Sequence, residues 1–273
     1  MPAFVEMLGF GFIQRALLAG ILIGLLCSVL GVFLVLRRFS LIGDGLAHFT
    51  FGSVALAMLL GVTPEYVTMA ALPLVLLAAV GILWLSENTR IAGDAAIGIV
   101  SALGIAGGVI LASLAGGFNV DLLSYLFGNI LAIGDGELLL AAMLCGSVLL
   151  VVALCYRDLF AVTFDEEFAR TTGVNSRTVN VLLALLAALT VVLAMKLVGI
   201  MLISALLILP PAAALQVARS FRGALLCSAL LGTLAVTGGI LVSIALNLPT
   251  GGTIIVTCFG VFTTAAALRR FVR

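Results

Sequence analysis

Apolar residues form long stretches along this chain, and only short polar segments separate one stretch from the next. Each stretch has about the 20 residues that an α-helix needs to cross the hydrocarbon of a bilayer. The pattern predicts an all-α, polytopic bundle of about nine membrane-spanning helices, and eight or ten spans also fit it. The predicted spans are 16–36, 41–60, 67–85, 95–115, 131–155, 179–195, 198–217, 224–246 and 253–268.

Three places in this pattern are ambiguous. Segment 118–133 also fits a re-entrant or interfacial helix, and a tight hairpin is expected at Lys196. Pro210 and Pro211 lie inside a hydrophobic run, where proline removes a backbone donor and clashes with the preceding turn. We therefore expect the helix to kink or break there. Broken helices line many transport paths but are also plain packing features, so both interpretations stay open.

Small residues recur at intervals of four in two spans: Ala16, Gly20, Gly24 and Ser28 in the first, Gly104 and Gly108 in the fourth. Such stripes let helix backbones approach closely. They indicate packing inside the bundle, and a dedicated dimer seam is the alternative for the first span.

The composition excludes a water-soluble protein. Hydrophobic residues make up 64% of the chain and charged residues 9%, and the mean hydropathy is +1.38. The five cysteines include no Cys-x-x-Cys pair, so neither a disulfide framework nor a zinc ribbon is indicated. No small-residue cleavage site follows the N-terminus, so the first span is expected to remain as an anchor. Residues 1–273 are predicted to form a single transmembrane domain.

Arginines fall in alternate loops and in the C-terminal tail, whereas the loops between them hold essentially Lys196 alone. The positive-inside rule then makes the arginine-bearing loops and the C-terminus cytoplasmic and places the N-terminus outside. These arginines are Arg37, Arg38, Arg90, Arg157, Arg170, Arg177, Arg219, Arg222, Arg269, Arg270 and Arg273.

Asp44 and His48 interrupt the second span, and His48 is the only histidine of the chain. Residues four apart on a helix share a face, so the two side chains can reach a common point. An ionisable group inside a membrane costs about 2.5–3.5 kcal/mol on insertion scales and normally faces a bundle interior or an aqueous path. A carboxylate and an imidazole suit zinc or manganese. The pair is thus a candidate metal site, and a second copy of the chain would supply the missing ligands.

A buried Asp–His hydrogen bond that only fixes helix packing is the alternative for this pair. Other carboxylates are weaker candidates. Asp94 is expected to favour a helix N-terminus, and Asp135 and Glu137 are expected to be solvated at the outer end of their span.

The longest cytoplasmic segment, about 157–177, differs from the other loops. Thr163 and Glu166 form a capping-box pattern and Gly173 is a helix stop, which predicts a short helix over 164–172 with Phe164 and Phe168 on one face. Such a helix fits a partner's groove. Its acidic residues disfavour the alternative, a helix lying on anionic headgroups. The sequence also lacks a G-x-x-x-x-G-K-[ST] loop, so ATP hydrolysis must come from another subunit.

Three motifs stand out in the sequence. The first is L-R-R-F-S-L-I-G-D-G-L-A-H followed by F-G-S-V-A-L-A-M-L-L-G, the second is F-D-E-E-F-A-R-T-T-G-V, and the third is K-L-V-G-I-M-L-I-S-A-L-L-I-L-P-P-A-A-A. Together they resemble the permease subunits of bacterial zinc and manganese ABC importers. The resemblance implies that Asp44 and His48 are ligands of the metal path. It also implies a segment that couples to the ATPase, comprising Phe164, Asp165, Glu166, Glu167, Phe168, Arg170 and Gly173. Gly45 and Ala47 stand where many members have Ala and Ser.

The same resemblance implies a type II importer fold in the bacterial plasma membrane. The working complex would contain a permease homodimer, two cytoplasmic ATP-binding subunits and an extracytoplasmic metal-binding protein. No permanently bound cofactor is implied. The cargo would be zinc or, next, manganese, with iron also compatible with the donor set.

Two other functions remain as alternatives. A secondary cation transporter is disfavoured because the proline-interrupted segment has no counterpart in the first half of the chain. A siderophore-type importer permease would be expected to have a wider and less charged path, which the Asp44/His48 pair disfavours.

Overall fold

The computed structural model describes residues 9–63, 66–89, 91–115, 128, 130 and 133–272. Within these residues the chain is helical and contains no strand, and nine of the helices are long and apolar enough to span a membrane. The helices are α1 (Gly11–Leu36), α2 (Ile42–Leu59), α3 (Val67–Asn88), α4 (Gly93–Leu114), α5 (Asp135–Leu154), α6 (Tyr156–Phe164), α7 (Glu166–Thr171), α8 (Ser176–Val198), α9 (Ile200–Val217), α10 (Phe221–Leu246) and α11 (Thr250–Val272).

The nine long helices match the nine predicted spans, and most differences are at the helix ends. The break expected at Lys196 lies at Gly199, which alone joins α8 to α9 and has a φ of 81°. Lys196 instead lies in the last turn of α8. Most of segment 118–133, for which a re-entrant helix was one interpretation, and Arg90, used for the orientation, lie outside the described residues.

Helix α1 lies in the interior of the bundle and contacts α5, α6, α8, α9 and α10. It is apolar on all sides, which is typical of a helix with neighbours on all sides rather than one with a solvent face. The small-residue stripe of α1 packs against α10 of the same chain. A Cβ added at Gly24 would lie 3.2 Å from the carbonyl oxygen of Gly232, and Ser228 donates a hydrogen bond of 2.9 Å to the Ser28 carbonyl. The packing interpretation is confirmed, and the dimer-seam alternative for this stripe is wrong.

Helix α9 continues through Pro210 and Pro211, so of the kink or break expected there the break is wrong, and the kink stays a prediction. Pro211 has no N–H to donate to the Leu207 carbonyl, four residues earlier. That carbonyl faces Gly31 of α1, where a Cβ would lie only 2.3 Å from the oxygen. The proline pair therefore has a packing role: the freed carbonyl points at a glycine that lets α1 and α9 approach each other.

The first turn of α5 carries Asp135 and Glu137, which were expected to be solvated. Asp135 is 86% exposed, as expected, whereas Glu137 is 32% exposed, and each has a basic partner. Arg15 contacts Asp135 at 2.9 Å, and Lys196 contacts Glu137 at 2.8 Å. The two ion pairs tie the first turn of α5 to α1 and to the last turn of α8.

Candidate metal path and coupling segment

Helix α1 ends in a tight turn that leads directly into α2. The N–H of Arg38 donates to the Val35 carbonyl (3.2 Å) and the N–H of Phe39 to the Leu34 carbonyl (2.9 Å), which is the hydrogen-bond pattern of a Schellman motif. Arg38 takes the left-handed conformation that this motif requires, with a φ of 61°. The Phe39 carbonyl then accepts a hydrogen bond of 3.0 Å from the N–H of Ile42, so α2 begins without a flexible linker.

Two glycines set the position of Asp44 in the first turn of α2. A Cβ at Gly43 would lie 2.3 Å from Leu207 of α9, and a Cβ at Gly45 would lie 2.6 Å from Ile97 of α4. Helix α2 is thus packed closely between α9 and α4 on either side of Asp44. The absence of side chains at these glycines is what allows that approach.

The structure places the Asp44 and His48 side chains on the same face, as predicted from their spacing. His48 Nε2 lies 3.5 Å from Asp44 Oδ2. The His48 side chain is 29% exposed and the Asp44 side chain is 43% exposed. This distance is longer than that of a normal hydrogen bond. The pair therefore differs from the alternative of a buried, closed Asp–His hydrogen bond, and both side chains are partly exposed.

Ser204 of α9 joins this pair. Its hydroxyl donates a hydrogen bond of 2.9 Å to Asp44 Oδ1, which leaves Oδ2 on the side of His48. No motif in the sequence singles out this residue. The only signal was a lone serine in an apolar run, and such a serine often bonds to its own helix backbone instead.

A single chain offers an incomplete metal shell at this point. Among the described residues, no group of three or more His, Cys, Asp or Glu side chains is arranged to hold a metal ion. Asp44, His48 and the Ser204 hydroxyl are the polar groups that the fold assembles here. The assignment of Asp44 and His48 as metal ligands stays a prediction.

The predicted cytoplasmic segment folds as two short helices rather than one. Helix α6 ends at Phe164 and α7 begins at Glu166, with Asp165 between them. The Asp165 carboxylate accepts a hydrogen bond of 2.9 Å from the N–H of Phe168 and caps α7. The predicted cap at Thr163 is wrong, because Thr163 lies inside α6 and its hydroxyl donates to the Leu159 carbonyl.

Phe164 and Phe168 consequently belong to different helices, and the expectation that they share a face of one helix is wrong. Phe164 packs against the rings of Phe160 and Phe221, with centroid distances of 4.8 and 5.5 Å. Phe164 and Phe168 are nevertheless 59% and 64% exposed. Two aromatic rings therefore remain accessible beside α7.

Gly173 ends α7, as predicted. It has a φ of 88°, its N–H donates to the Arg170 carbonyl, and the N–H of Val174 donates to the Ala169 carbonyl. This is a Schellman motif with glycine at the left-handed position. The chain turns at once into α8, whose N-cap is Asn175.

Glu166 connects α7 to the end of α1. Its Oε2 lies 2.7 Å from Nη2 of Arg37, and its Oε1 lies 2.7 Å from Nη2 of Arg170. Burial alone would raise the pKa of Glu166, but the charge of Arg37 and hydrogen bonds from Ser176, Arg170 and Arg37 outweigh it, so the pKa is lowered. Glu166 is therefore held as a carboxylate at neutral pH.

The model of the ABC 3 transport family matches residues 9–269. The chain belongs to the ABC 3 transport family. The resemblance to importer permease subunits that the three motifs indicated is thus confirmed, and so is the prediction of a multi-pass membrane protein.

Relatives of this permease include proteins named for manganese and for zinc. The manganese transport system membrane protein MntC of Halalkalibacterium halodurans is 33% identical over 96% of this chain and 89% of its own length. The manganese import system permease protein ScaB of Streptococcus parasanguinis is 38% identical over 91% and 87%. The high-affinity zinc uptake system membrane protein ZnuB of Haemophilus influenzae is 33% identical over 90% and 94%.

The fold also has a solved counterpart. A chain of PsaBC from Streptococcus pneumoniae, in complex with Fab, superposes with a TM-score of 0.86 at 34% identity, covering 97% of this chain and 95% of that one. The predicted fold class, an all-α permease bundle of the type II importer kind, is confirmed.

Proposed function

We propose that this permease moves a divalent transition-metal ion, zinc or manganese, into the cytoplasm in an ATP-driven importer. The observation that carries the proposal is the accessible Asp44/His48 pair, whose oxygen and nitrogen atoms lie 3.5 Å apart. A carboxylate and an imidazole accept both metals, which relatives of the permease are named for. A transported ion must also leave, so an open and incomplete ligand set suits a path better than a closed cage does.

The ligand shortfall supports a homodimer. One chain contributes Asp44, His48 and the Ser204 hydroxyl, whereas a divalent metal takes four or more ligands. A two-fold axis near the exposed side of this pair would double the set. We propose that the two copies share one metal position between them.

ATP hydrolysis is assigned to a separate cytoplasmic subunit, because the sequence has no phosphate-binding loop. Helix α7 and the exposed rings of Phe164 and Phe168 form the proposed docking surface. The coupling residues are Phe164, Asp165, Glu166, Glu167, Phe168, Arg170 and Gly173. In this arrangement the arginine-bearing loops and the C-terminus are cytoplasmic, the N-terminus is outside, and an extracytoplasmic metal-binding protein delivers the ion.

The test is ATP-dependent uptake of zinc, manganese and iron by membranes that carry the permease with its ATP-binding subunit. Asp44→Asn removes the carboxylate and His48→Gln removes the imidazole, each with little change in side-chain size. Both variants are expected to abolish uptake of the same metal. Asp94→Asn is the matched control, because Asp94 is an exposed carboxylate in the first turn of α4. Full uptake by both site variants would refute the assignment, and the metal whose uptake is lost identifies the cargo.

The family match also bears on the alternatives. A secondary cation transporter would not be expected to match an ABC transport family over residues 9–269. A siderophore-type permease would show uptake of a chelate rather than of the free ion, so the same assay with chelated and free metal separates the two.

A further inference from the structure

A partly buried ion pair links the cytoplasmic helix α7 to the connection between α1 and α2. Arg37, the C-cap residue of α1, places its guanidinium 2.7 Å from Glu166, the first residue of α7. The Arg37 side chain is only 8% exposed. Its Nη1 is buried without a hydrogen-bond partner among the described residues, so the contact with Glu166 is the ion pair that balances its charge.

The Arg37 end of this link leads to the candidate metal site through a short, hydrogen-bonded stretch of backbone. The Schellman turn at Arg38 and the hydrogen bond between Phe39 and Ile42 leave no flexible segment before α2. Asp44 follows in the first turn of α2. A displacement of Arg37 is therefore transmitted to the turn that carries Asp44.

The Glu166 end is equally constrained. Arg170 Nη2 donates a hydrogen bond to Oε1 of Glu166, the carboxylate oxygen that does not contact Arg37. Arg170 Nε also donates a hydrogen bond of 2.7 Å to the Ser176 hydroxyl at the start of α8. Asp165 and Gly173 fix the two ends of α7. Helix α7 and its ion pair thus move as one unit, with both oxygens of Glu166 engaged.

We infer that the Arg37–Glu166 ion pair is the mechanical link through which movement of α7 reaches the Asp44/His48 pair. The inference rests on the proposed function, in which α7 docks on the ATP-binding subunit. Arg37 and Glu166 are positioning residues: neither touches the metal, and their effect on transport passes through the α1–α2 turn.

The test separates transport from hydrolysis and from assembly. Glu166→Gln removes the charge, and Asp94→Asn is the control because Asp94 is an exposed carboxylate in the first turn of α4, outside the proposed docking surface. In membranes carrying the full complex, we expect Glu166→Gln to lower metal uptake per ATP hydrolysed by on the order of tenfold, a typical coupling between sites. Co-purification of the ATP-binding subunit and the rate of ATP hydrolysis should stay at the wild-type level in Arg37→Met, which removes the other charge of the pair from outside the docking surface, and Asp94→Asn should behave as wild type throughout.

Arg37→Met provides a second variant, since it keeps an apolar stem in the buried position. If the two residues act as one link, the double variant Arg37→Met/Glu166→Gln transports as poorly as either single variant, not worse. Additive losses, unchanged uptake per ATP, or loss of the ATP-binding subunit from Arg37→Met would each overturn the inference. Absence of metal uptake by the wild type would instead refute the proposed function, and with it the inference, so the two failures are distinguishable.

Discussion

Ser204 donates a hydrogen bond of 2.9 Å to Asp44, although 160 residues separate them along the chain. The contact joins α9 to the first turn of α2 and fixes which carboxylate oxygen faces His48. Loss of a group that orients a metal ligand in this way commonly lowers metal affinity by about 10- to 100-fold. Ser204 is therefore a positioning residue for the proposed site.

Removal of the Ser204 hydroxyl should weaken metal handling without removing a charged donor. We expect Ser204→Ala to raise the metal concentration needed for half-maximal uptake by roughly 10-fold or more, the usual effect of losing such a partner. Ser53→Ala is the control, because Ser53 lies on α2 but bonds its own helix at the Phe49 carbonyl. Identical uptake curves for Ser204→Ala and wild type would show that Asp44 needs no orientation from α9.

Helix α4 packs on α2 through glycine, and the packing predicts opposite effects for two neighbouring substitutions. A Cβ at Gly104 would lie 2.4 Å from the Cα of Phe49, so Gly104→Ala forces the backbones apart and should cost about 1–3 kcal/mol. A Cβ at Gly107 meets nothing within 4 Å, so Gly107→Ala should gain up to about 1 kcal/mol of helix propensity. Thermal unfolding of the purified protein in detergent measures both. An equal Tm for the two variants would contradict the close α2–α4 contact.

The sequence was sufficient for features that depend on neighbouring residues alone. Span number follows from run length, the position of Asp44 and His48 on one face follows from a spacing of four, and Gly173 ends α7 because a left-handed residue is required there. Each of these depends on at most a few turns of one helix. Tertiary packing had no opportunity to override them.

The features that were missed depend on residues far apart in the chain or on a competition between near-equal caps. Glu137 resembles a solvated end charge until α8 brings Lys196 to it. Thr163 and Asp165 both suit an N-cap, and only the packing of α6 shows that Thr163 lies inside a helix. In the sequence, Pro210 and Pro211 predict a helix break. The structure shows instead that the Leu207 carbonyl, which Pro211 leaves without a donor, packs against Gly31 of α1.

The choice between these two caps gives a direct test of how α7 is formed. Asp165→Ala removes the carboxylate that accepts from Phe168 and should cost about 1 kcal/mol, the usual loss for an N-cap. Because α7 is six residues long, this loss should loosen it and reduce co-purification of the ATP-binding subunit. Thr163→Ala should leave co-purification at the wild-type level. The reverse ranking would mean that the helix begins at Thr163 and not at Glu166.

The lowered pKa of Glu166 sets the pH range in which its contacts stabilise the fold. A carboxyl whose pKa is lower in the folded than in the unfolded state stabilises the fold fully above its unfolded value, here about 4.5. That stabilisation is lost as the pH falls below 4.5 and through the lower folded-state pKa, where the carboxylate takes up a proton and its attraction to Arg37 disappears. We therefore expect wild type to unfold at a higher temperature than Glu166→Gln at pH 7, with the difference in Tm closing only in acid.

Thermal unfolding in detergent between pH 7 and pH 3 measures this gap in Tm, with Glu167→Gln as the control for loss of a charge from α7. A gap that stayed constant down to pH 3 would show that Glu166 stabilises α7 through packing and not through its charge.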